Sequence, residues 1–250
     1  MDRILSVLYE DNHCLAVNKP AGLLTQGVPD GIPTLESQAR EYLKVTYHKA
    51  GKVYLGIPHR LDRPVSGVVL FARSSKAAAR LAEQFRDRLV QKVYVGLVEH
   101  NGNLPPPRGK WDDWMRKIQS EARSEVVPAQ TPEAKNASLC FERLGQQNQL
   151  ALLRFEPLTG RMHQIRVQCA SRGWPLAGDK LYGGQQIFGP ATEESRDKAI
   201  ALHALGLTIL HPIRYEPVSL FAPLPDYWPL WARQLLLRSQ GESVSPGEQP

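Results

Sequence analysis

Short apolar runs of strand length, broken at irregular intervals by amphipathic helical stretches, constrain this 250-residue chain more than any other feature. Residues 4–9, 14–18, 67–72, 93–98 and 202–210 each hold one compact apolar run. Residues 138–144 and 149–156 form a pair around the turn signal Gly145-Gln146-Gln147-Asn148. Thr34 is placed to cap a helix to about Tyr47, with Leu35, Ala39, Tyr42 and Leu43 on one side. Ser74 or Ser75 can cap a second helix to about Val90, with Ala78, Leu81, Ala82, Phe85 and Leu89 as its stripe. Helical spacing returns over 162–172, stopped by Gly173, and again over 227–238. This order is too irregular for a doubly wound parallel sheet and predicts an α+β fold. Pro105-Pro106-Pro107 and scattered charges over 100–136 predict a long loop or irregular hairpin. Residues 1–238 are expected to form one domain, and 239–250 a disordered tail.

Charge is concentrated rather than spread. Between residues 52 and 92 nine basic side chains face only Asp62, Glu83 and Asp87, so the whole formal excess of +6 lies there. Such a cluster suits a phosphate-bearing partner, although a solvated basic helix face has the same composition. Cys14, Cys140 and Cys169 are too scattered for a disulfide framework or a zinc site. His59, His163, His203 and His211 fit no metal-ligand spacing, and no Walker A loop or GxGxxG is present. Neither a metal nor a nucleotide cofactor is therefore expected. No apolar run nears the roughly 20 residues of a membrane span, and the acids near the N-terminus do not suit a targeting peptide. A soluble, cytoplasmic protein is expected.

Three segments can carry chemistry. In His59-Arg60-Leu61-Asp62-Arg63-Pro64-Val65-Ser66-Gly67 one acid lies between two arginines at the edge of a strand. Neighbouring cations favour an ionised carboxylate, which in a cleft can act as a nucleophile; the same arrangement also suits a structural salt-bridge network. In Thr159-Gly160-Arg161-Met162-His163-Gln164-Ile165-Arg166, His163 and Arg166 are three apart and share a helix face, so Arg166 can reach an acid across a cleft. In Lys92-Val93-Tyr94 the lysine and tyrosine share a strand face, where Tyr94 can stack on a base or pack in the core.

Taken together, these blocks resemble the RluA family of pseudouridine synthases over about residues 5–215. VLYEDNHCLAVNKPAGLLTQG is similar to the family's first block and HRLDRPVSG to its catalytic HRLDxxTSG. QKVYVGLV resembles the KxY block, and TGRMHQIRVQCASRGWPLAGDKLYG followed by LHALGLTILHP resembles the third. The resemblance implies a mixed, largely antiparallel sheet split by a central RNA-binding cleft. It implies cofactor-free isomerisation of uridine to pseudouridine in ribosomal or transfer RNA, on a nucleotide flipped out of its helix. Asp62 falls on the family's catalytic aspartate, Tyr94 on its active-site tyrosine and Arg166 on the basic partner of the aspartate. Arg60 falls on the arginine that displaces the target base, and Ile165 on an apolar residue of the pocket. His59, Arg63 and His163, in the same blocks, are expected to contact substrate. Attack at C1′ and attack at the uracil ring both fit.

Two departures stand out. Val65 occupies the usual threonine position and removes a hydroxyl. The blocks begin near residue 5, which predicts a short form without the S4 RNA-binding domain of many relatives, acting as a monomer. Substrate selection is then expected from the core, the basic 76–92 helix and the 100–136 segment. Two other classes compete. A non-catalytic RNA-binding protein would have no use for the Asp62–Tyr94–Arg166 set. A carboxylate hydrolase needs a second acid, and Asp179, in GDKLYG, is the one other acid in a strong motif, where a structural turn role is expected.

Overall fold

The computed structural model describes residues 5–27, 32–194 and 197–241. The first part of the chain forms β1 (Val7–Glu10), β2 (Cys14–Lys19), α1 (Leu35–Thr46), β3 (Ser66–Ala72), α2 (Ser75–Arg86) and β4 (Gln91–Glu99). Next come β5 (Arg108–Ile118), β6 (Arg123–Val127), β7 (Lys135–Gln147), β8 (Leu150–Pro157) and α3 (Gln164–Ala170). A 3-10 turn at Lys180–Tyr182, β9 (Leu202–Leu210), β10 (Pro217–Phe221) and α4 (Leu230–Gly241) complete it.

All ten strands join one mixed sheet in the order β1-β2-β3-β9-β4-β8-β7-β5-β6, with β10 also on β9. The fold is α+β, and every described strand pair is antiparallel except β3 with β9. That parallel join is short. Only Ser66↔His203 and Gly67↔Ala204 pair, after which β10 takes over the same edge of β9. The sheet therefore forks at β9. Gly67 permits the close approach: its φ is +119°, and a Cβ would lie 2.2 Å from the Ala204 carbonyl oxygen. Ser66 Oγ lies 2.8 Å from His203 Nδ1, and the other ring nitrogen lies 3.0 Å from the Ala222 carbonyl. A histidine donating from Nε2 and accepting at Nδ1 satisfies both contacts. Burial lowers its pKa to about 4, so it is neutral.

β2 and β3 are covered on both faces, which explains their unbroken apolar runs. Leu15, Val17, Val69 and Phe71 face one core with α1 residues Leu35, Ala39 and Leu43. Cys14, Ala16, Val68 and Leu70 face a second under α2 residues Ala77 and Leu81. Thr34 closes a capping box with Ser37 at the start of α1, and Ser74 caps α2.

The structure differs from the sequence expectation in three places. α2 ends at Arg86, not near Val90, because Arg88 turns into the left-handed region at φ +61°. Its buried stripe is Ala77, Leu81 and Gln84, leaving Ala82 and Leu89 exposed. Of the two expectations for 100–136 the hairpin holds: β5 and β6 pair with each other and dock on β7. α4 runs through Gly241, past the expected helix end at 238, and residues 242–250 of the expected tail lie outside the described residues.

Candidate active site

Asp62 lies in the loop that leads into β3, and hydrogen bonds fix the residues on both sides of it. Thr25 Oγ1 donates to the Leu61 carbonyl (3.0 Å) and accepts from the Leu61 N–H (3.3 Å). The Arg63 carbonyl accepts from the Gly22 N–H (2.9 Å) and from Lys19 Nζ (3.0 Å). The Lys19 ammonium also donates to the carbonyls of Pro20 (2.9 Å) and Leu23 (2.7 Å). It is fully buried, and burial lowers its pKa to about 7 against the pull of Asp62. The Asn18-Lys19-Pro20 sequence reads as a strand ending at a break; its lysine in fact ties the turn after β2 to the Asp62 loop.

α3 supplies the groups facing Asp62. Arg166 Nη1 donates to Asp62 Oδ2 at 3.2 Å, and His163 Nε2 lies 3.5 Å from the same oxygen. Among the described residues no side chain hydrogen-bonds Oδ1, and 31% of the Asp62 side chain is exposed. His163 is the N-cap of α3 with φ +56°, a left-handed conformation uncommon outside glycine. Gln164 anchors this entry, accepting from Thr159 Oγ1 (2.7 Å) and the Arg161 N–H (3.0 Å) and donating to the Ser138 carbonyl (3.1 Å).

Arg166 is itself held from behind. Its Nε and Nη2 donate to the two oxygens of Asp179 at 2.7 and 2.8 Å, a bidentate pair with both partners buried. Burial opposes the guanidinium charge, but the hydrogen bonds and charge of Asp179, then Asp62, outweigh it and raise the Arg166 pKa. Asp179 thus lies close to Asp62, with Arg166 between them, but it is enclosed rather than open to a cleft. A fully paired, buried carboxylate does not meet a hydrolase's need for a second acid or base.

Asp62, Tyr94, Arg166, Arg60, Ile165 and His163 line one cavity of about 240 Å³ with Val65, Lys92 and Leu202. Its floor is the fork where β9 meets β4 and the start of β3. Burial first, and then Asp62, raise the Tyr94 pKa, so the phenol keeps its proton. Lys92 Nζ donates to the Thr159 carbonyl (3.1 Å); burial, with Arg88 nearby, lowers its pKa to about 8. Val65 is buried in the core beneath the cavity, and its N–H donates to the Asp62 carbonyl at 3.1 Å.

Two expected contact residues lie elsewhere. Arg63 donates to the Gly22 carbonyl (2.8 Å) and to Asp197 (2.7 Å), facing a separate cavity of about 1260 Å³ around Lys19–Leu24. His59 Nε2 accepts from the Leu70 N–H (2.9 Å), and its ring stacks on Phe85 with centroids 4.7 Å apart. Burial lowers its pKa to about 3. The basic 76–92 segment is also partly engaged: Arg86 pairs with Glu83 and Asp87, and Arg80 donates to the Pro212 carbonyl.

Among the described residues, Asp11, Cys14 and His211 bring possible ligand atoms within 4.8 Å of one another. The set does not suit a metal. His211 Nδ1 accepts from the N–H groups of Ile213 and Arg214, and Nε2 lies 2.8 Å from Asp11 Oδ2. Burial pushes the Cys14 thiol up to about 12, away from a thiolate. No helix among the described residues is long and apolar enough to cross a membrane.

Comparison with known proteins adds to this geometry. The RNA pseudouridylate synthase profile matches residues 13–171. The chain is 33% identical over 231 residues to the dual-specificity RNA pseudouridine synthase RluA of Vibrio vulnificus, covering 89% of this chain and 84% of that one. It is 31% identical over 234 residues to ribosomal large subunit pseudouridine synthase C of Escherichia coli K12, covering 88% of this chain and 66% of that one. The chain therefore spans just under two thirds of the length of the latter relative. The fold matches human RNA pseudouridylate synthase domain containing 4 with a TM-score of 0.70 at 23% identity, covering 94% and 93% of the two chains.

Proposed function

The chain belongs to the RluA family of RNA pseudouridylate synthases, and we propose that it isomerises uridine to pseudouridine in structured ribosomal or transfer RNA with Asp62 as nucleophile. The observation that carries this reading is the convergence of Arg166 and His163 on Oδ2 of Asp62. Both side chains lie against one oxygen, which Arg166 hydrogen-bonds, so Oδ1 is the oxygen that attacks. Arg166 cannot follow the carboxylate outward, because Asp179 holds its other edge. The nucleophile is thereby aimed before substrate arrives, and orientation of this kind lowers a barrier without further reorganisation.

A cavity of about 240 Å³ has the scale of a single base and is too small for a duplex, so the target nucleotide enters flipped out. Arg60, on the exposed rim, fills the gap left in the RNA helix. Tyr94 and Ile165 supply flat and apolar walls for the uracil. Because Tyr94 keeps its proton in the free enzyme, its part is stacking and proton donation rather than proton removal. Attack at C1′ and attack at the ring give the same net change. The N1–C1′ bond breaks, the C5–C1′ bond forms, N1 gains a proton and C5 loses one. The atoms balance within the nucleotide, as an isomerisation requires.

The test reads the lost C5 hydrogen. Ribosomal and transfer RNA carrying tritium at C5 of uridine are incubated with wild type and with Asp62→Asn. Release from wild type, reduced by at least about 10³-fold in the variant with RNA affinity retained, is the expected result. Equal release from the two proteins refutes the nucleophile. No release from either RNA refutes the substrate class.

A further inference from the structure

Tyr182 has no part in the proposed chemistry, yet it touches both groups that face Asp62 from α3, Arg166 and His163. It closes the same short turn that begins with Asp179, so one bracket of chain carries both anchors. Asp179 grips Arg166, and the Arg166 guanidinium lies 5.0 Å from the centre of the Tyr182 ring. The Tyr182 hydroxyl accepts the Ser124 N–H at 2.9 Å and lies 2.8 Å from His163 Nδ1. Ser124 belongs to β6, the outermost strand on its side of the sheet, and that N–H points away from β5. Val126 of the same strand packs with Tyr182 against Met115 and Val167.

The hydrogen-bond inventory assigns the protons along this line. A phenol has one proton to give. Its oxygen already accepts from Ser124, so the partner that uses the phenol proton is His163 Nδ1. The histidine proton then sits on Nε2, the nitrogen 3.5 Å from Asp62 Oδ2. The opposite tautomer would leave the phenol proton without an acceptor and set a nitrogen lone pair against a carboxylate oxygen. Burial lowers the His163 pKa against the pull of Asp62, which agrees with a neutral ring carrying one N–H.

We infer that Tyr182 is a positioning residue for the reaction: it fixes His163 as the Nε2–H tautomer aimed at Asp62 Oδ2 and ties that donor to the β5–β6 hairpin. The inference rests on Asp62 as nucleophile for its consequence in turnover, but not for the tautomer itself. The arrangement also accounts for the left-handed backbone at His163, which carries the ring to where Tyr182 and Asp62 both reach it.

The experiment is long-range proton–nitrogen NMR on protein labelled in its seven histidines, with His163→Gln to assign the signal. Wild type should show His163 as Nε2–H at neutral pH. Tyr182→Phe keeps the ring and its packing but removes the hydroxyl, and the Nδ1–H form should then appear. In the same variant kcat should fall about five- to tenfold, the effect of one lost orienting hydrogen bond, with KM for RNA within about twofold. Leu181→Ala, an exposed neighbour on the same turn, should change neither readout. His163 as Nδ1–H in wild type overturns the inference, and so does an unchanged tautomer in Tyr182→Phe. Absent turnover in wild type, with the two tautomer spectra still different, overturns the proposed function and leaves the positioning intact.

Discussion

Asp179→Asn separates the scaffold of the site from its chemistry. The exchange is isosteric and removes one charge from a pair in which Asp179 is 2% and Arg166 5% exposed. Breaking a buried ion pair by removing one partner costs about 3–5 kcal/mol, because the remaining charge is left uncompensated. The asparagine carbonyl still accepts one of the two hydrogen bonds, but its amide sets a donor against a guanidinium donor. Asp62, at 3.2 Å and partly exposed, offsets a further part. A net loss of about 3 kcal/mol follows. Urea unfolding followed by tryptophan fluorescence reads this directly: with a slope near 3 kcal/mol/M the midpoint falls by about 1 M. Asp62→Asn, whose partner Arg166 keeps Asp179, should lose less than about 1 kcal/mol. The two variants should therefore diverge, one unstable and slow, the other stable and inactive. Replacing both charges, as Arg166→Met with Asp179→Leu, should restore much of the stability without restoring turnover. A midpoint for Asp179→Asn within about 0.2 M of wild type would refute the reasoning, since Arg166 would then not depend on Asp179.

Two further outcomes follow from the β9 fork. Gly67→Ala should destabilise the fold by more than about 3 kcal/mol, because a Cβ meets the Ala204 backbone at 2.2 Å and φ is +119°; a thermal unfolding midpoint close to that of wild type would show that β3 and β9 can separate freely. His203 titrates near 4 in the fold and near 6.5 unfolded, so the unfolded chain binds the extra proton below pH 6.5. Stability present above that pH should then be lost toward pH 4 at about 1.4 kcal/mol per unit, and His203→Gln should flatten that slope in urea midpoints taken across the range.

The helices and central strands were legible because local chemistry specifies them: Thr34 and Ser74 cap where a sequence reader expects caps, and β9 spans the expected 202–210. The β5–β6 hairpin was legible only as one of two alternatives, a long loop or an irregular hairpin. Along β5 only Trp111 and Met115 are buried among charged residues, a pattern that resembles a loop because one face is solvated and β6 is an exposed edge. The site was legible where one motif carries one group, as with Asp62. Arg60 and Arg63 flank it, two residues before and one after, yet one lines the cavity and the other pairs with Asp197. Charge does not distinguish them, since the direction of a loop side chain is set by Thr25, Gly22 and Lys19, remote in the chain. Asp179 reads as a turn residue, and Tyr182 draws no reading, for the same reason: their partners are Arg166 and His163, visible only once the chain has closed.

The position of β9 also orders the birth of the molecule. β1, β2 and β3 pair in sequence as one meander, while β4 through β8 pair among themselves in the order β4-β8-β7-β5-β6. β3 and β4 are consecutive strands in the chain but have β9 between them, so among the described residues no strand pairing formed before β9 joins one group to the other across the sheet. Asp62 enters with the first group, and Tyr94 and Arg166 with the second. Long-range pairings of this kind form late, after the local ones. A chain still emerging from the ribosome therefore carries both halves of the cavity without a cavity, and competence arrives only when the strand ending at Leu210 inserts between them.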